Sequence, residues 1–220
     1  MLKDALSPAQ PPLAETRSEA RRRAILEVAR EAFLSQGYAG ASMSEIAQRL
    51  GGSKGTLYNY FRSKEDLFVA FMNDVCQGPM NAILADLAEG GGALRGRLIE
   101  AGERLLGFLA QEKVQAIHRL VVAEIGRFPE VGRLFYENGP MRGDLRLADY
   151  FAREIAAGTL RGADPMTMAR RFKMFVLGDV YQRRMWGVIA EPSAAQVRAQ
   201  ANEGVDLFLA IHAGKAGADA

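Results

Sequence analysis

The fold is decided by residues 42–68, which read SMSEIAQRLGGSKGTLYNYFRSKEDLF. Ser42, Ser53 and Ser63 each stand where a helix is expected to begin, because a serine at the N-cap accepts a hydrogen bond from a free backbone N–H. A pair of glycines before Ser53 separates the first two of these segments. Short helices joined by a tight glycine turn predict a helix-turn-helix.

The helix predicted from Lys54 to about Phe61 has two different sides. At about 100° per residue, Leu57 and Phe61 fall on one side and are expected to face a core. The opposite side carries small and hydrogen-bonding side chains, which suits the major groove of DNA. The candidate DNA contacts on this helix and its cap are Ser53, Lys54, Gly55, Thr56, Tyr58, Asn59 and Tyr60.

These candidates divide by chemistry. Asn59 can pair with an adenine edge, and Thr56 can contact a base edge or a thymine methyl group. Gly55 costs helix stability, and we interpret it as a place where the backbone approaches DNA closely. Lys54 and Tyr58 are long enough to reach phosphate.

Two helix N-termini supply further phosphate candidates, since their free N–H groups attract anions. Ser42 and Ser44 stand at one of them and Lys64 at the other. The alternative is that the serines act only as caps and the tyrosines are ordinary half-buried aromatics. The arginine cluster Arg21–Arg23 is either a further DNA contact or a solvated helix face.

The flanking sequence continues the helical pattern. Thr16 and Glu19 have capping-box spacing and predict a helix to about Gln36, stopped by Gly37. Ser63 and Asp66 open a fourth helix toward Val75, before Gly78-Pro79. Longer helical runs are predicted at about 93–111, 113–126, 130–156, 165–188 and 193–212, and the first three are punctuated by Pro129, Gly139-Pro140 and Gly158.

The predicted fold is therefore all-α, with a small helix-turn-helix unit and a larger helical bundle that dimerises. We call residues 16–76 the head and residues 77–213 the body. Residues 1–15 and 214–220 are expected to be a flexible arm and tail.

Composition limits the other possibilities. The formal net charge of +2 excludes an argument for DNA binding from bulk basicity. Two histidines, His118 and His212, and one cysteine, Cys76, suggest neither a metal site nor a catalytic group, so we expect no enzyme activity and no cofactor. Cys76 is interpreted as an incidental thiol, with redox sensing as the alternative. The N-terminal stretch MLKDALSPAQPPL lacks the apolar core of a signal peptide, and no stretch approaches the roughly 20 apolar residues needed to cross a bilayer. We therefore expect a cytoplasmic protein without membrane contact.

The segment 42–68 and the preceding ARRRAILEVAREAFLSQGYAGAS resemble the DNA-binding signature of the TetR/AcrR family of transcription regulators. The resemblance covers residues 16–72, and Gly52 departs from it, because the family usually has an apolar residue there. The resemblance implies a homodimer, a palindromic DNA operator and a small-molecule pocket in the body. The segment 127–140 resembles part of the C-terminal domain in an AcrR-like subgroup.

The body residues are interpreted on these expectations. We expect the dimer to form through residues 165–212, with Val197, Ala201, Val205 and Phe208 along an apolar seam. For any single pocket aromatic, simple core packing is the alternative. The pocket candidates are Phe108, His118, Phe135, Tyr150, Phe172 and Phe175.

The function predicted is a repressor that an apolar or amphipathic ligand releases from its operator. One alternative is an activator or a constitutive DNA binder without an effector. Another is a helical binding module or enzyme that has lost DNA binding, but it would favour apolar or acidic residues on the 55/56/59 face, and the sequence has none there.

Overall fold

A computed structural model describes residues 16–162 and 164–214. The predicted arm and nearly all of the predicted tail lie outside these residues. Within the described ranges the regular secondary structure is helical, apart from one isolated bridge between Leu160 and Ala213. The helices are α1 (Arg17–Gly40), α2 (Met43–Arg49), α3 (Lys54–Tyr60), α4 (Lys64–Glu89), α5 (Leu94–Leu109), α6 (Glu112–Glu124), α7 (Pro129–Asn138), α8 (Pro140–Ala156), α9 (Pro165–Met185) and α10 (Ala194–His212).

The first helix begins and breaks where the sequence predicts. The Thr16 hydroxyl accepts from the backbone N–H of Glu19 at 3.2 Å, and the Glu19 carboxylate accepts from the backbone N–H of Thr16 at 2.8 Å. Gly37 leaves the helical conformation at φ 77° and ψ 172°, a region that is essentially restricted to glycine. A last turn follows to Gly40, so the chain changes direction at Gly37 without ending the helical segment.

The short helices α2 and α3 pack with α1 and the start of α4 on a common core. Leu57 and Phe61 are buried, which confirms the predicted inward side of α3. The N-caps Ser42, Ser53 and Ser63 each accept a backbone hydrogen bond from the third residue of the helix they open.

The fourth helix is longer than predicted. Gly78-Pro79 does not interrupt α4, which runs from Lys64 to Glu89. An interior proline removes one helical hydrogen bond and crowds the carbonyl four residues earlier, but here both residues lie on the exposed side of the helix. The expected boundary between residues 76 and 77 therefore falls inside a helix that belongs to both head and body.

The predicted run 130–156 is two helices. Gly139, at φ −117° and ψ −92°, separates α7 from α8 and serves as the N-cap of α8. Pro140 follows at the first helical position, where its missing N–H costs nothing.

The last two helices pack closely, because Gly204 of α10 lies against the backbone of Phe175 and Val176 in α9. At Gly178 α9 is kinked, with φ 46° and ψ −150°. The Gln200 amide of α10 donates to the Phe175 carbonyl at 3.0 Å beside this kink. A side chain of α10 thus satisfies a carbonyl near the interruption in α9.

The expected dimer seam is used inside the subunit. Ala201, Val205 and Phe208 are fully buried, and α10 packs on α9 and α5 of its own chain. Helical periodicity identifies an apolar face but not what covers it. These residues are core residues of the body.

The described residues contain two apolar cores. One is formed by α1–α4 together with Ile117, Leu120 and Val121 of α6 and Val131 of α7. The other lies within the body and is centred on Phe151, Phe172 and Phe208. Because body residues complete the first core, the head rests directly on α6 and α7.

Substitution Gly37→Ala should lower the free energy of unfolding by about 1–3 kcal/mol, because alanine is strained at this φ and ψ. Its Cβ would also collide with the Glu124 carboxylate. Urea denaturation measures the change.

The matched control is Gly107→Ala, in the interior of α5, where an added Cβ meets no atom within 4 Å. It should leave stability unchanged or raise it by up to about 1 kcal/mol. Equal effects of the two substitutions would contradict the assignment of strain to Gly37.

Candidate nucleic-acid interface and ligand cavity

The outer side of α3 is polar and accessible. Lys54, Gly55, Tyr58 and Asn59 are exposed, whereas Thr56 is half-buried. Lys54 Nζ lies 5.9 Å from the centre of the Tyr58 ring, so the two side chains form one cationic and aromatic edge. Tyr60 is half-buried and packs against the head core, which leaves it less accessible than expected.

The caps of this unit are already satisfied within the chain. Ser53 Oγ accepts from the Thr56 N–H at 3.1 Å and lies 2.9 Å from Thr56 Oγ1. Ser42 accepts from the Glu45 N–H at 3.2 Å, and both Ser42 and Ser44 are exposed. Ser42 and Ser53 therefore act as helix caps, as the structural alternative predicts. Ser42, Ser44 and Ser53 are exposed, which leaves a phosphate contact available to each of them.

The space beside Gly52 is filled by an arginine. Arg21 of α1 donates to the Leu50 carbonyl at 3.3 Å, and a side chain at position 52 would meet its guanidinium. Arg22 lies over the Phe61 ring at 5.3 Å. Two members of the arginine cluster thus hold α1 against α2 and α3, and the turn keeps its geometry without an apolar residue at position 52.

Lys64 is engaged inside the head. Its Nζ lies 4.4 Å from the centre of the Tyr38 ring and donates to the Ala39 carbonyl at 3.4 Å. Partial burial lowers the pKa of Lys64. A phosphate at this helix end would meet a cation whose position is already fixed.

The head and body meet at the end of α1. The buried Glu124 carboxylate of α6 accepts from the Ala39 N–H at 3.2 Å, beside the Gly37 break. The Tyr38 ring packs on Phe128 with centroids 5.6 Å apart, and the Tyr38 hydroxyl donates to Glu65 at 3.0 Å.

A cavity of about 660 Å³ lies between α4, α5, α6, α7, α8 and α9. This volume is in the range of small-molecule sites. Met72 and Val121 belong both to the cavity wall and to the head core. The cavity is therefore in direct contact with the packing that supports the head.

The predicted pocket residues divide in two. Phe108, His118, Phe135 and Phe172 line the cavity. Tyr150 and Phe175 do not line it and pack instead with the core of the body. The sequence identifies aromatic side chains in the body helices, but it cannot distinguish a side chain that faces a cavity from one that packs in a filled core.

Sequence reasoning missed the hydrogen-bonding partner of His118. The Tyr181 hydroxyl of α9 lies 2.8 Å from His118 Nδ1 within the cavity wall. Burial, with a smaller effect of Arg119, lowers the pKa of His118 to about 4, and burial raises the pKa of Tyr181 to about 12. Both groups are neutral at physiological pH and can donate or accept a hydrogen bond.

Sulfur-containing side chains also line the cavity. Met72, Cys76 and Met80 recur every four residues along α4, a spacing that the sequence already shows. Burial raises the pKa of the Cys76 thiol to about 11, which disfavours the reactive thiolate. The group serves as an adaptable apolar wall.

The described parts of the chain support neither of two further possibilities, a metal site and a membrane-spanning helix. Across these ranges no group of three His, Cys, Asp or Glu side chains is arranged to hold a metal ion. None of the described helices has the length and apolar character needed to cross a membrane.

Two family profiles match the chain. Residues 25–71 match the bacterial regulatory proteins of the tetR family, and residues 96–213 match the C-terminal domain of AefR-like transcriptional repressors.

Curated relatives match over the head. The transcriptional repressor AcnR of Corynebacterium diphtheriae is 36% identical over 64 residues, which is 29% of this chain and 34% of the relative. The transcriptional activator FasR of Mycolicibacterium smegmatis is 46% identical over 52 residues, 24% of each chain. The matches thus span about a third or less of the length of these relatives.

Two solved structures are similar over nearly the whole chain. A TetR-family transcriptional regulator from Mesorhizobium loti superposes with a TM-score of 0.76 at 30% identity, covering 90% of this chain and all of the other. The flavonoid-responsive regulator FrrA also gives a TM-score of 0.76, at 29% identity, covering 89% and 98%.

The buried, neutral His118 makes stability depend on pH. Because its pKa is about 4 in the folded chain and 6.5 when unperturbed, the unfolded chain binds the proton first as the pH falls. The stabilisation is present above pH 6.5 and is lost between 6.5 and 4. Between pH 7 and pH 5 the loss should be about 2 kcal/mol.

Urea denaturation of the wild type and of His118→Asn at both pH values checks this. Asparagine does not titrate, so the variant should lose about 2 kcal/mol less over the same interval, while all other groups contribute equally. Identical pH dependence of the two proteins would show that His118 titrates with the same pKa in the folded and unfolded chains.

Proposed function

The chain belongs to the tetR family of bacterial regulatory proteins, and from this premise we propose that it is a transcriptional repressor released from its operator by a small amphipathic ligand. The family membership establishes a DNA-binding transcriptional regulator. The direction of regulation, the contacts and the ligand response are the proposal. A cytoplasmic location, where the DNA of a bacterium lies, is part of it.

The observation that carries the proposal is the two-sided character of α3. Leu57 and Phe61 anchor the helix in the head core, while Lys54 and Asn59 extend into open space. Because its buried side anchors α3 in the head core, the polar outer side of the helix can enter a major groove while the head stays folded. We assign Asn59 and Thr56 to base edges, Lys54 and Tyr58 to phosphate, and Gly55 to close approach.

Repression is favoured over activation by the match of the body. Residues 96–213, more than half of the chain, match the C-terminal domain of AefR-like repressors. The similarity to the activator FasR covers only 24% of this chain, within the head that both kinds of regulator share.

Ligand control is supported by the cavity and by its contacts. The cavity touches the head core through Met72 of α4 and Val121 of α6. FrrA, which is described as flavonoid-responsive, is similar over 89% of this chain, and this supports a small-molecule signal here. Displacement of either helix by a ligand would shift the head relative to the body.

A homodimer would place two heads on one palindromic operator. Met174 of α9 and Leu207 and Ile211 of α10 are exposed apolar residues, at 64%, 50% and 47% of their full accessibility. Leu207 and Ile211 are one helical turn apart and so lie on the same side of α10. We place the interface on this outer side of α9 and α10.

DNA recognition can be tested by selecting bound duplexes from a randomised library with the purified protein. On the selected duplex, Asn59→Ala should lose about 1–3 kcal/mol of binding free energy, and its preference at one base position should relax. Lys54→Ala should weaken selected and scrambled duplexes alike and reduce the salt slope by about one. Fluorescence anisotropy at several salt concentrations measures both.

The control is Asn202→Ala on α10. This helix packs on α5 and α9, away from the head, so the variant should bind DNA as the wild type does. Lys64→Ala is less informative, because it also removes the contact with the Tyr38 ring. Equal losses of Asn59→Ala on selected and scrambled duplexes would mean that Asn59 does not read a base.

The dimer is tested by Leu207→Glu, which would bury an unpaired carboxylate at the proposed interface. Sedimentation should show a monomer that retains its helical circular dichroism, and operator affinity should fall with it. Leu34→Glu, at an exposed leucine of α1, should remain dimeric. If the Leu207→Glu variant is still a dimer at micromolar concentration, the interface lies elsewhere.

A further inference from the structure

The charged residues of the cavity wall are all of one sign. Arg142, Arg146 and Lys173 line it, and no Asp or Glu is found among its described lining residues. The whole chain is nearly balanced, with 28 basic and 26 acidic residues. The cationic wall is therefore a local property of the cavity.

The three cations differ in how they are compensated. Lys173 is paired with the buried carboxylate of Asp144. Arg146 contacts only the neutral amide oxygen of Asn81, and Arg142 makes no hydrogen bond or ion pair with the described part of the chain. Among the described residues, no carboxylate therefore compensates these two positive charges.

These two charges are placed at the outer edge of the cavity. Arg142 and Arg146 are both exposed and lie four residues apart on α8, so they are neighbours on one side of that helix. A guanidinium at such a position can bind a carboxylate with two hydrogen bonds.

The described residues of the cavity wall include no carboxylate that could pair with Arg142 or Arg146. The interior walls are formed mainly by apolar side chains, such as Phe108, Phe172 and Leu105. His118 is uncharged there and is held by the Tyr181 hydroxyl at 2.8 Å. The cavity thus combines an apolar interior with a cationic rim.

We propose that the cavity takes an amphipathic anion, with its apolar body inside and its carboxylate at Arg142 and Arg146. The inference rests on the ligand-controlled function proposed above and specifies its effector class. A cationic ligand would be repelled at the rim and would find no carboxylate in the wall. A neutral ligand would gain the apolar contacts but would offer neither guanidinium group a carboxylate.

The experiment uses the full chain and two matched series of probes, titrated by calorimetry at pH 7. The aliphatic series is decanoate, decanol and decyltrimethylammonium. The aromatic series is 2-naphthoate, 2-naphthol and 2-naphthylmethylammonium. In each series that binds, the acid should bind about tenfold more tightly than the alcohol, and the cation most weakly. The series with the tighter acid identifies whether the body is an alkyl chain or an aromatic ring.

The double variant Arg142→Gln/Arg146→Gln should lose the preference for the acid, about two- to fivefold for each arginine, and should keep its affinity for the alcohol. Arg133→Gln, at an exposed arginine of α7 outside the cavity wall, should keep the preference. Equal binding of acid, alcohol and cation by the wild type would overturn the proposal. So would an unchanged preference in the double variant.

Operator binding separates this proposal from the function on which it rests. Each probe is added to the complex with the selected duplex. If the acids bind with the expected preference but never change operator affinity, ligand control fails while the ligand class of the cavity stands. If the alcohols or cations bind best and release the duplex, ligand control stands and the anionic class is wrong.

Discussion

The contact between Glu124 and the end of α1 is the constraint on which the arrangement of head and body depends. Glu124 is only 8% exposed, and its carboxylate accepts from the Ala39 backbone directly after Gly37 breaks the helix. The same helix, α6, contributes His118 and Val121 to the cavity wall. One rigid element therefore contacts both the cavity and the backbone that leads into α2, so a shift of α6 cannot be confined to the body.

Tyr38 extends this joint toward the reading surface. Its ring packs on Phe128 of the body and under the Lys64 ammonium, and its hydroxyl donates to Glu65 in the first turn of α4. The start of α4 is thus fixed by the same residues that fix the end of α1. The helix then runs without a break past Pro79 into the cavity wall, so the head is held to the body by α4 as well as by α6.

The sequence predicted local features well and long-range packing poorly. The caps, the break at Gly37 and the inward side of α3 follow from backbone chemistry over a few residues, and the structure has them as predicted. Gly139 divides a helix, whereas Gly78-Pro79 leaves α4 continuous. This difference depends on the surrounding packing. The same limit applies to Ala201, Val205 and Phe208, which were assigned to a dimer seam and lie in the core, and to Tyr150 and Phe175, which lie outside the cavity. The DNA contacts of the candidate residues and the binding of a ligand stay predictions.

The core shared by the head with α6 and α7 has a consequence for cooperativity. Ile117, Leu120, Val121 and Val131 come from the body, yet they fill the interior of the head. Cutting the chain after residue 76 would expose apolar surface on both fragments, so neither is expected to be an independent folding unit. Head and body should melt together in a single transition. A ligand that binds the cavity of the folded chain would therefore raise the free energy of unfolding of head and body together.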